Sequence, residues 1–338
     1  MPWRAVGAWL ALWAAASAQK PTDEEAARVH RAAILIDTHN DVPLRVVRGF
    51  DIGPRAKEGH TDLARLREGG VDAVFFSVYV SPGYVPKGQA LHRTVELFDV
   101  VQRDIIGKYP QDLMAALTAD DIESAHRQGK IAALIGVEGG HAIENSLRVL
   151  RIFHALGARY MTLTHSNTND WADSSGDLNN PKAPHHGCLT DFGRQVIAEM
   201  NRLGMMVDVS HVSDKTFWDV LAVSKAPIFA SHSSCRALCD HPRNLTDEMI
   251  RTLARKGGVI QINFNPGFLT RRAAPPANLD DVVAHIDHAV EVGGVDAVGI
   301  GSDFDGIDQA PVGLEDVSKF PNLTRALLEK GYSASDIA

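Results

Sequence analysis

The chain has 338 residues, of which 45% are hydrophobic and 22% charged, and these are the proportions of a globular protein. Lys and Arg total 34 against 42 Asp and Glu, so the formal net charge is −8. This balance, without any run of basic residues, argues against nucleic-acid binding and against docking on an anionic membrane surface.

The first eighteen residues have the pattern of a secretory signal peptide. Arg4 supplies one positive charge, residues 5–15 form an apolar run, and Ala16-Ser17-Ala18 is a small-residue cleavage site. The apolar run is too short to span a bilayer. We therefore predict a signal peptide at 1–18, export to a periplasm or the extracellular space, no transmembrane anchor, and a single domain at 19–338.

The cysteine count gives little support to a disulfide framework. Export would permit disulfides, but the chain has only Cys188, Cys235 and Cys239. Because three is odd, at least one thiol stays free or pairs between chains.

Eight short apolar runs follow the leader, each succeeded by an amphipathic stretch. The runs are Ala33–Ile36, Val71–Val80, Ile131–Val137, Tyr160–Thr164, Met205–Val209, Pro227–Ala230, Val259–Phe264 and Val295–Ile300. Runs of this length are typical of parallel strands buried on both faces. Thr22, Thr190, Ser213 and Thr246 stand where N-caps of the intervening helices are expected. The pattern predicts a (β/α)₈ barrel, with an open doubly wound α/β sheet as the alternative.

Titratable side chains follow most of the predicted strands at the same end. They are His39 and Asp41 after the first, Glu138 after the third, His165 after the fourth, His211 after the fifth, His232 after the sixth and Asp303 after the eighth. In a barrel these positions meet at the C-terminal mouth, where active sites lie. Imidazole and carboxylate groups without cysteine indicate zinc or a similar divalent ion.

The spacing of these residues predicts two ions. His39 and Asp41 are two apart, so in an extended segment both side chains can reach one ion. Glu138 has two oxygens that can bridge, and we expect the glycines around it to let backbone and metal approach closely. With His211 and His232 on the other side, two three-ligand sites would share Glu138. A single zinc, with the remaining histidines outside its ligand set, is the alternative.

A series of short motifs in order along the chain carries a family resemblance. They are Ile36–Asp41 (IDTHND), Gly136–Gly140 (GVEGG), Leu163–Asn167 (LTHSN), Val207–His211 (VDVSH), Ala230–Ser234 (ASHSS), Arg243-Asn244 and Gly301–Gly306 (GSDFDG). The sequence resembles the membrane dipeptidase (renal dipeptidase) family of zinc peptidases, which are barrels of the metal-dependent hydrolase kind. Unlike animal members, it has neither a hydrophobic tail nor paired cysteines, which suggests an exported bacterial-type member.

The resemblance implies a role for each matching residue. His39 and Asp41 would hold one zinc, His211 and His232 the other, and Glu138 would bridge them. His165 would bind the substrate carbonyl and the tetrahedral intermediate, Asp303 would handle the proton, and Arg243 would grip the substrate's terminal carboxylate. Since the family would normally continue beyond Ser335–Ala338 with another helix, we expect the C-terminus to be missing. A homodimer is a further expectation.

These observations together predict a zinc-dependent dipeptidase in which a metal-bridging hydroxide cleaves the peptide bond of dipeptides. His165 would stabilise the oxyanion and Asp303 would relay the proton to the leaving amine. The resemblance also implies tolerance of a D-residue at the C-terminal position. A related metal-dependent amide, lactam or ester hydrolase on the same barrel is the enzymatic alternative. A barrel that only binds is disfavoured, because every ligand and acid–base position is present.

Overall fold

The computed structural model describes residues 20–338. The signal peptide predicted at 1–18 lies outside these residues, and its cleavage and the export of the chain stay predictions. Among the residues described, no helix combines the length and apolar character needed to cross a membrane. Cys188, Cys235 and Cys239 are all free thiols in this part of the chain.

Nine parallel strands form one sheet in the described residues. They are β1 (Ile36–Asn40), β2 (Ala73–Tyr79), β3 (Leu113–Ala115), β4 (Ile131–Glu138), β5 (Ala158–Thr162), β6 (Met206–Asp208), β7 (Ile228–Ala230), β8 (Val259–Ile262) and β9 (Val298–Ile300). Their order is β1-β2-β4-β5-β6-β7-β8-β9, and β3 pairs with the beginning of β4. The predicted strands are all present, whereas the short β3 was not predicted.

The first and last strands meet, which closes the sheet almost completely into a barrel. The Asp303 N–H donates to the His39 carbonyl at 3.1 Å, and the Asp41 N–H donates to the Phe304 carbonyl at 2.9 Å. This contact confirms the (β/α)₈ barrel and rules out the open doubly wound sheet. β1 begins three residues later than predicted. The prediction followed apolar residues, whereas Asp37–Asn40 are polar and are buried only because the barrel closes around them.

Helices cover the outside of the barrel. The α-helices of at least six residues are α1 (Asp23–Ala32), α3 (Leu63–Glu68), α4 (Ala90–Asp99), α5 (Ala119–Arg127), α6 (Leu147–Ala155), α7 (Asp191–Leu203), α8 (Asp214–Val223), α9 (Asp247–Arg255), α11 (Leu279–Gly293) and α12 (Phe320–Lys330). The short ones are α2 (Pro43–Val46), α10 (Pro266–Leu269) and α13 (Ala334–Ile337). A 3₁₀-helix spans Pro82–Lys87, and a π-helix, Val100–Ile106, continues α4. All four predicted caps are confirmed: Thr22, Thr190, Ser213 and Thr246 each accept a hydrogen bond from an N–H of the first turn.

An aromatic layer fills the barrel below its mouth. The ring of Tyr160 lies 5.2 Å from that of Phe75 and 5.4 Å from that of Phe229. A Cβ added at Gly136 would lie 1.9 Å from the Tyr160 ring. Gly136 is therefore needed to make room for an aromatic ring, and the expectation that the glycines around Glu138 let a metal approach stays a prediction.

Candidate active site

The mouth of the barrel brings the predicted metal ligands together around one carboxylate. Glu138 ends β4, and its Oε1 lies 3.1 Å from His211 Nε2 and 3.5 Å from His232 Nε2. Its Oε2 lies 3.5 Å from His39 Nε2, which is itself 3.3 Å from Asp41 Oδ2. Each oxygen of Glu138 thus faces a different part of the cluster, as the predicted bridging role requires.

The histidines pack closely on one another. The rings of His39 and His232 stack with centroids 3.9 Å apart, and His211 Nε2 lies 2.9 Å from His232 Nε2. Three overlapping groups of possible ligands result: His39, Asp41 and Glu138; His39, His232 and Asp303; and Glu138, His165 and His211. The structure therefore places His165 and Asp303 at the edge of the same cluster.

Four buried atoms in the cluster lack hydrogen-bond partners among the described residues: His39 Nε2, Asp41 Oδ1, His165 Nδ1 and His211 Nδ1. Leaving such atoms without a partner costs free energy unless an ion or water binds them. The donor set contains histidine nitrogen and carboxylate oxygen, which suits zinc and other borderline divalent ions. The residues present therefore fit a metal centre.

The electrostatics of the cluster favour a cation. Burial alone would raise the pKa of Glu138, but His39 and His165 outweigh that effect and hold the pKa well below its usual value. Burial lowers the pKa of His211 and of His232 well below the usual value, which keeps both rings neutral. For Glu138, His211 and His232 these are the protonation states in which carboxylate and imidazole bind metals. Burial alone would lower the pKa of His39, but Tyr160, Glu138 and Asp41 raise it well above its usual value, so an ion bound there must displace a proton.

Asp303 lies where the barrel closes, beside His39. Its backbone is left-handed, with φ of 64°, and its Oδ2 accepts a hydrogen bond of 3.0 Å from Asn263 Nδ2. Burial is the main cause that raises the pKa of Asp303 to about 7. The carboxylates of Asp41 and Glu138 raise this pKa further, whereas His39 lowers it. A carboxyl group with a pKa near neutrality is suited to accept a proton and then donate it.

His165 forms the more open side of the cluster. Its Nε2 is 3.8 Å from Glu138 Oε1, and its ring lies between those of Tyr79 and His211 at 4.5 and 4.4 Å. The His165 side chain is 21% exposed, whereas that of His39 is wholly buried. His165 can therefore reach a molecule that enters the mouth.

Arg243 is buried at the mouth without an acidic partner. Its Nη1 donates to Ser233 Oγ at 3.2 Å and its Nη2 to the His232 carbonyl at 2.9 Å, while Nε has no partner. No carboxylate of residues 20–338 lies within ion-pair distance of it. Burial lowers the pKa of Arg243 to about 10, so it remains charged at neutral pH. A buried, unpaired guanidinium is a suitable site for a carboxylate ligand.

A cavity of about 420 Å³ joins Arg243 to the histidine cluster. It is lined by Ser166, Ser175, Gly176, Leu178, Asn179, His211, His241, Pro242, Arg243 and Phe268. The volume is in the range of small-molecule sites. A larger cavity of about 920 Å³ lies at the opposite end of the barrel, is mostly apolar, and contains none of the clustered ligands.

Several residues that contact the ligands were not identified from the sequence. Tyr160 lies 2.9 Å from His39 Nδ1, Ser231 lies 2.8 Å from His232 Nδ1, and Ser77 donates to Glu138 Oε2 at 3.3 Å. Asp208 in turn accepts a hydrogen bond from Ser231. Tyr160 lies within an apolar strand, where its pattern is that of a core aromatic, so only its position in the folded barrel reveals the contact.

Comparisons with known proteins agree with this site. The family model of the membrane dipeptidases, peptidase family M19, matches residues 23–338. An uncharacterized dipeptidase of Schizosaccharomyces pombe is 42% identical over 322 residues, covering 90% of this chain and 76% of that one. The probable dipeptidase PvdM from Pseudomonas aeruginosa is 26% identical, with a TM-score of 0.86 and coverage of 93% and 94%. A metallopeptidase from Rhodobacter sphaeroides, liganded with a phosphinate mimic of the dipeptide L-Ala-D-Ala, is 30% identical, with a TM-score of 0.81 and coverage of 90% and 95%.

Proposed function

The chain belongs to the membrane dipeptidase family, peptidase family M19, and from that premise we propose that it is a zinc-dependent dipeptidase with two ions bridged by Glu138. The observation that carries the proposal is the convergence of Glu138 with His39, His211 and His232, each within 3.5 Å of one of its oxygens. His39 and Asp41 would hold one ion, and His211 and His232 the other.

Divalent ions held there would lower the pKa of a water molecule and polarise the scissile carbonyl. The protein must supply the remaining functions. Asp303, whose pKa lies at about 7, would accept the proton released by the attacking water and donate it to the leaving amine. His165, at the open side of the cluster, would donate a hydrogen bond to the oxygen of the scissile carbonyl as negative charge develops there.

Arg243 would define the substrate as a short peptide with a free C-terminal carboxylate. Among residues 20–338 its charge has no acidic partner within ion-pair distance, and its cavity of about 420 Å³ is also lined by His211. A carboxylate bound to Arg243 would therefore place the neighbouring peptide bond at the cluster. We further propose that a D-residue is accepted at the C-terminal position. The phosphinate mimic of L-Ala-D-Ala in the Rhodobacter sphaeroides relative supports this.

A substrate panel on the zinc-loaded enzyme tests the proposal. It would contain L,L- and L,D-dipeptides, their C-terminal amides, a tetrapeptide, and a lactam and an ester of similar size. We expect turnover of dipeptides with a free carboxylate and little turnover of the others. Preferred cleavage of the lactam or ester would favour the alternative hydrolase on the same barrel, and equal rates on dipeptide, amide and tetrapeptide would refute the role of Arg243.

We also propose that the chain is exported and its leader removed after Ala18. The apolar run and the small-residue cleavage site support this. N-terminal sequencing of the protein secreted by its host, or released from its periplasm, should begin at Gln19. A mature protein that retains Met1 would refute the proposal.

A further inference from the structure

The hydroxyl of Tyr160 contacts His39 and determines which ring nitrogen carries its proton. Tyr160 OH lies 2.9 Å from His39 Nδ1 and 3.1 Å from the Thr38 carbonyl. Because a carbonyl only accepts, the single hydroxyl hydrogen of Tyr160 points to Thr38, and the hydroxyl oxygen accepts from His39 Nδ1–H. In the neutral ring His39 Nε2 then carries no hydrogen, and it faces Asp41 and Glu138.

His232 is held in the same way, but by a serine and a buried carboxylate. Ser231 Oγ lies 2.8 Å from His232 Nδ1 and 2.6 Å from Asp208 Oδ2. An ionised carboxylate only accepts, so the Ser231 hydroxyl donates to Asp208 and accepts from His232 Nδ1–H. His232 Nε2 is left without hydrogen, and it faces His211 and Glu138.

Asp208 is held rigidly enough to impose this polarity. Its Oδ1 accepts the backbone N–H groups of Ser210 and Ser231 at 3.0 and 2.8 Å, and its Oδ2 also accepts from Thr162 Oγ1. The Asp208 side chain is completely buried, and in residues 20–338 no basic side chain lies within ion-pair distance of it. Both of its oxygens therefore accept hydrogen bonds, and Ser231 connects it to His232.

We propose that Asp208 and Ser231 are positioning residues that hold His232 in the tautomer able to bind a divalent ion, and thereby set the affinity of the ion on the side of His211 and His232. This rests on the metal centre of the proposed function. Groups that orient metal-bound histidines raise metal affinity by about 10–100-fold. On the other side of the centre His39 is oriented by the neutral hydroxyl of Tyr160, whereas His232 is oriented by Ser231 and the carboxylate of Asp208.

Substitution of Asp208 by asparagine reverses the polarity with almost no change in shape. The amide oxygen must stay on the Oδ1 side, where two backbone N–H groups donate, so the amide NH₂ faces Ser231. The Ser231 hydroxyl would then accept from the amide and donate to His232 Nδ1, which moves the ring proton to Nε2. We expect Asp208→Asn and Ser231→Ala each to weaken one ion by about 10–100-fold and to leave the other ion in place.

Two further variants serve as matched controls. Thr162→Val removes another buried hydrogen bond to the same Asp208 oxygen but leaves Ser231 and its contact with His232 intact. It should lower the melting temperature without changing the affinity of either ion. Tyr160→Phe removes the corresponding contact of His39, so it should weaken the ion on the opposite side of Glu138.

The measurement is a titration of metal-free full-length protein with Zn²⁺ against a chelating competitor, together with ¹⁵N spectra of its histidine rings. Selective loss of one ion in Asp208→Asn, with the His232 proton shifted to Nε2, supports the proposal. Unchanged affinities in Asp208→Asn and Ser231→Ala would overturn it, as would an equal loss of both ions or the same loss in Thr162→Val. The ¹⁵N spectra test the tautomer even if a variant binds no ion. If the wild-type protein binds Zn²⁺ and cleaves dipeptides, the proposed function stands whatever the variants show. If the wild type binds no ion, both the proposed function and the positioning role of Asp208 and Ser231 are refuted.

Discussion

The backbone N–H of Asp303 donates a hydrogen bond of 3.1 Å to the backbone carbonyl of His39. The same contact closes the barrel, so the group proposed to carry the proton is fixed beside the proposed metal ligands by the fold itself. A Cβ at Gly306 would lie 2.2 Å from Asp41 Oδ2 and 2.5 Å from Asp303 Oδ1, so glycine is needed there for the loop to pass both carboxylates.

Asp303→Asn should keep the fold and the metals but lose about 10²–10⁴-fold in kcat. Asparagine keeps the size of the side chain and can still bond to Asn263, but an amide cannot accept the proton. Steady-state kinetics, metal content and melting temperature should be measured on the same sample. A variant that retains more than about a tenth of wild-type kcat would show that Asp303 does not carry the proton. Loss of metal instead would show that it is a ligand.

Glu138→Gln should lose both ions, whereas His232→Ala should weaken chiefly one. The carboxylate of Glu138 faces both halves of the cluster, and its negative charge disappears in the amide. Elemental analysis after dialysis should give about two ions per chain for the wild type. Glu123→Gln, at an exposed helix position paired with Arg127, is the matched control and should keep the wild-type stoichiometry. A fully active wild type with one ion would contradict the dinuclear centre.

Arg243→Ala should raise KM for dipeptides and abolish their advantage over the corresponding C-terminal amides. The substitution removes the buried positive charge that faces the cavity. Arg236→Ala is the control, since Arg236 lies on the same loop but is already paired with Asp214 at 2.6 and 2.7 Å. The ratio of kcat/KM for a dipeptide and its amide is the readout. If the ratio is preserved in Arg243→Ala, another group binds the carboxylate.

Gly136→Ala should destabilise the protein by about 1–3 kcal/mol or more, as overpacked cores do. The new Cβ would meet the Tyr160 ring at 1.9 Å, and the other neighbours of that ring include Phe75 at 5.2 Å and Phe229 at 5.4 Å. At Gly83 a Cβ would meet only Ser81 Oγ at 3.7 Å, so Gly83→Ala is the control. Denaturant unfolding compares the two variants, and equal midpoints would contradict this account of the core.

Glu199→Gln should lower stability at neutral pH, with a difference from wild type that shrinks in acid. Hydrogen bonds from Arg202 and Arg151 lower the pKa of Glu199 to about 2. Because this pKa is lower in the folded protein than the value of about 4.3 expected for glutamate in the unfolded chain, ionised Glu199 stabilises the folded state above about pH 4.3. This stabilisation is lost as the pH falls toward 2. For a pair at the surface we expect about 0.2–1 kcal/mol at pH 7. Urea unfolding at pH 7 and pH 3.5 measures it, and an equal difference at both would contradict the assignment.

How far the sequence could predict the site is clear from His39 and Tyr160. His39, Asp41, Glu138, His211 and His232 stand directly at strand ends, and the ends of parallel strands meet in any closed barrel, so their convergence could be anticipated from order alone. Tyr160 has no such signal. It lies in the middle of β5, and only the folded barrel, in which its ring packs over Gly136, brings its hydroxyl to His39.

The sequence by itself determined the alternation of strands and helices, the helix caps at Thr22, Thr190, Ser213 and Thr246, and the residues that meet at the mouth. These follow from local periodicity and from chemistry that a side chain carries wherever it lies. The tertiary structure alone decided that β1 contains four buried polar residues, Asp37–Asn40, that β3 exists, and that Ser231 lies between Asp208 and His232. Such features depend on contacts between residues distant along the chain or on the direction of a hydrogen bond, and closure of the barrel creates both.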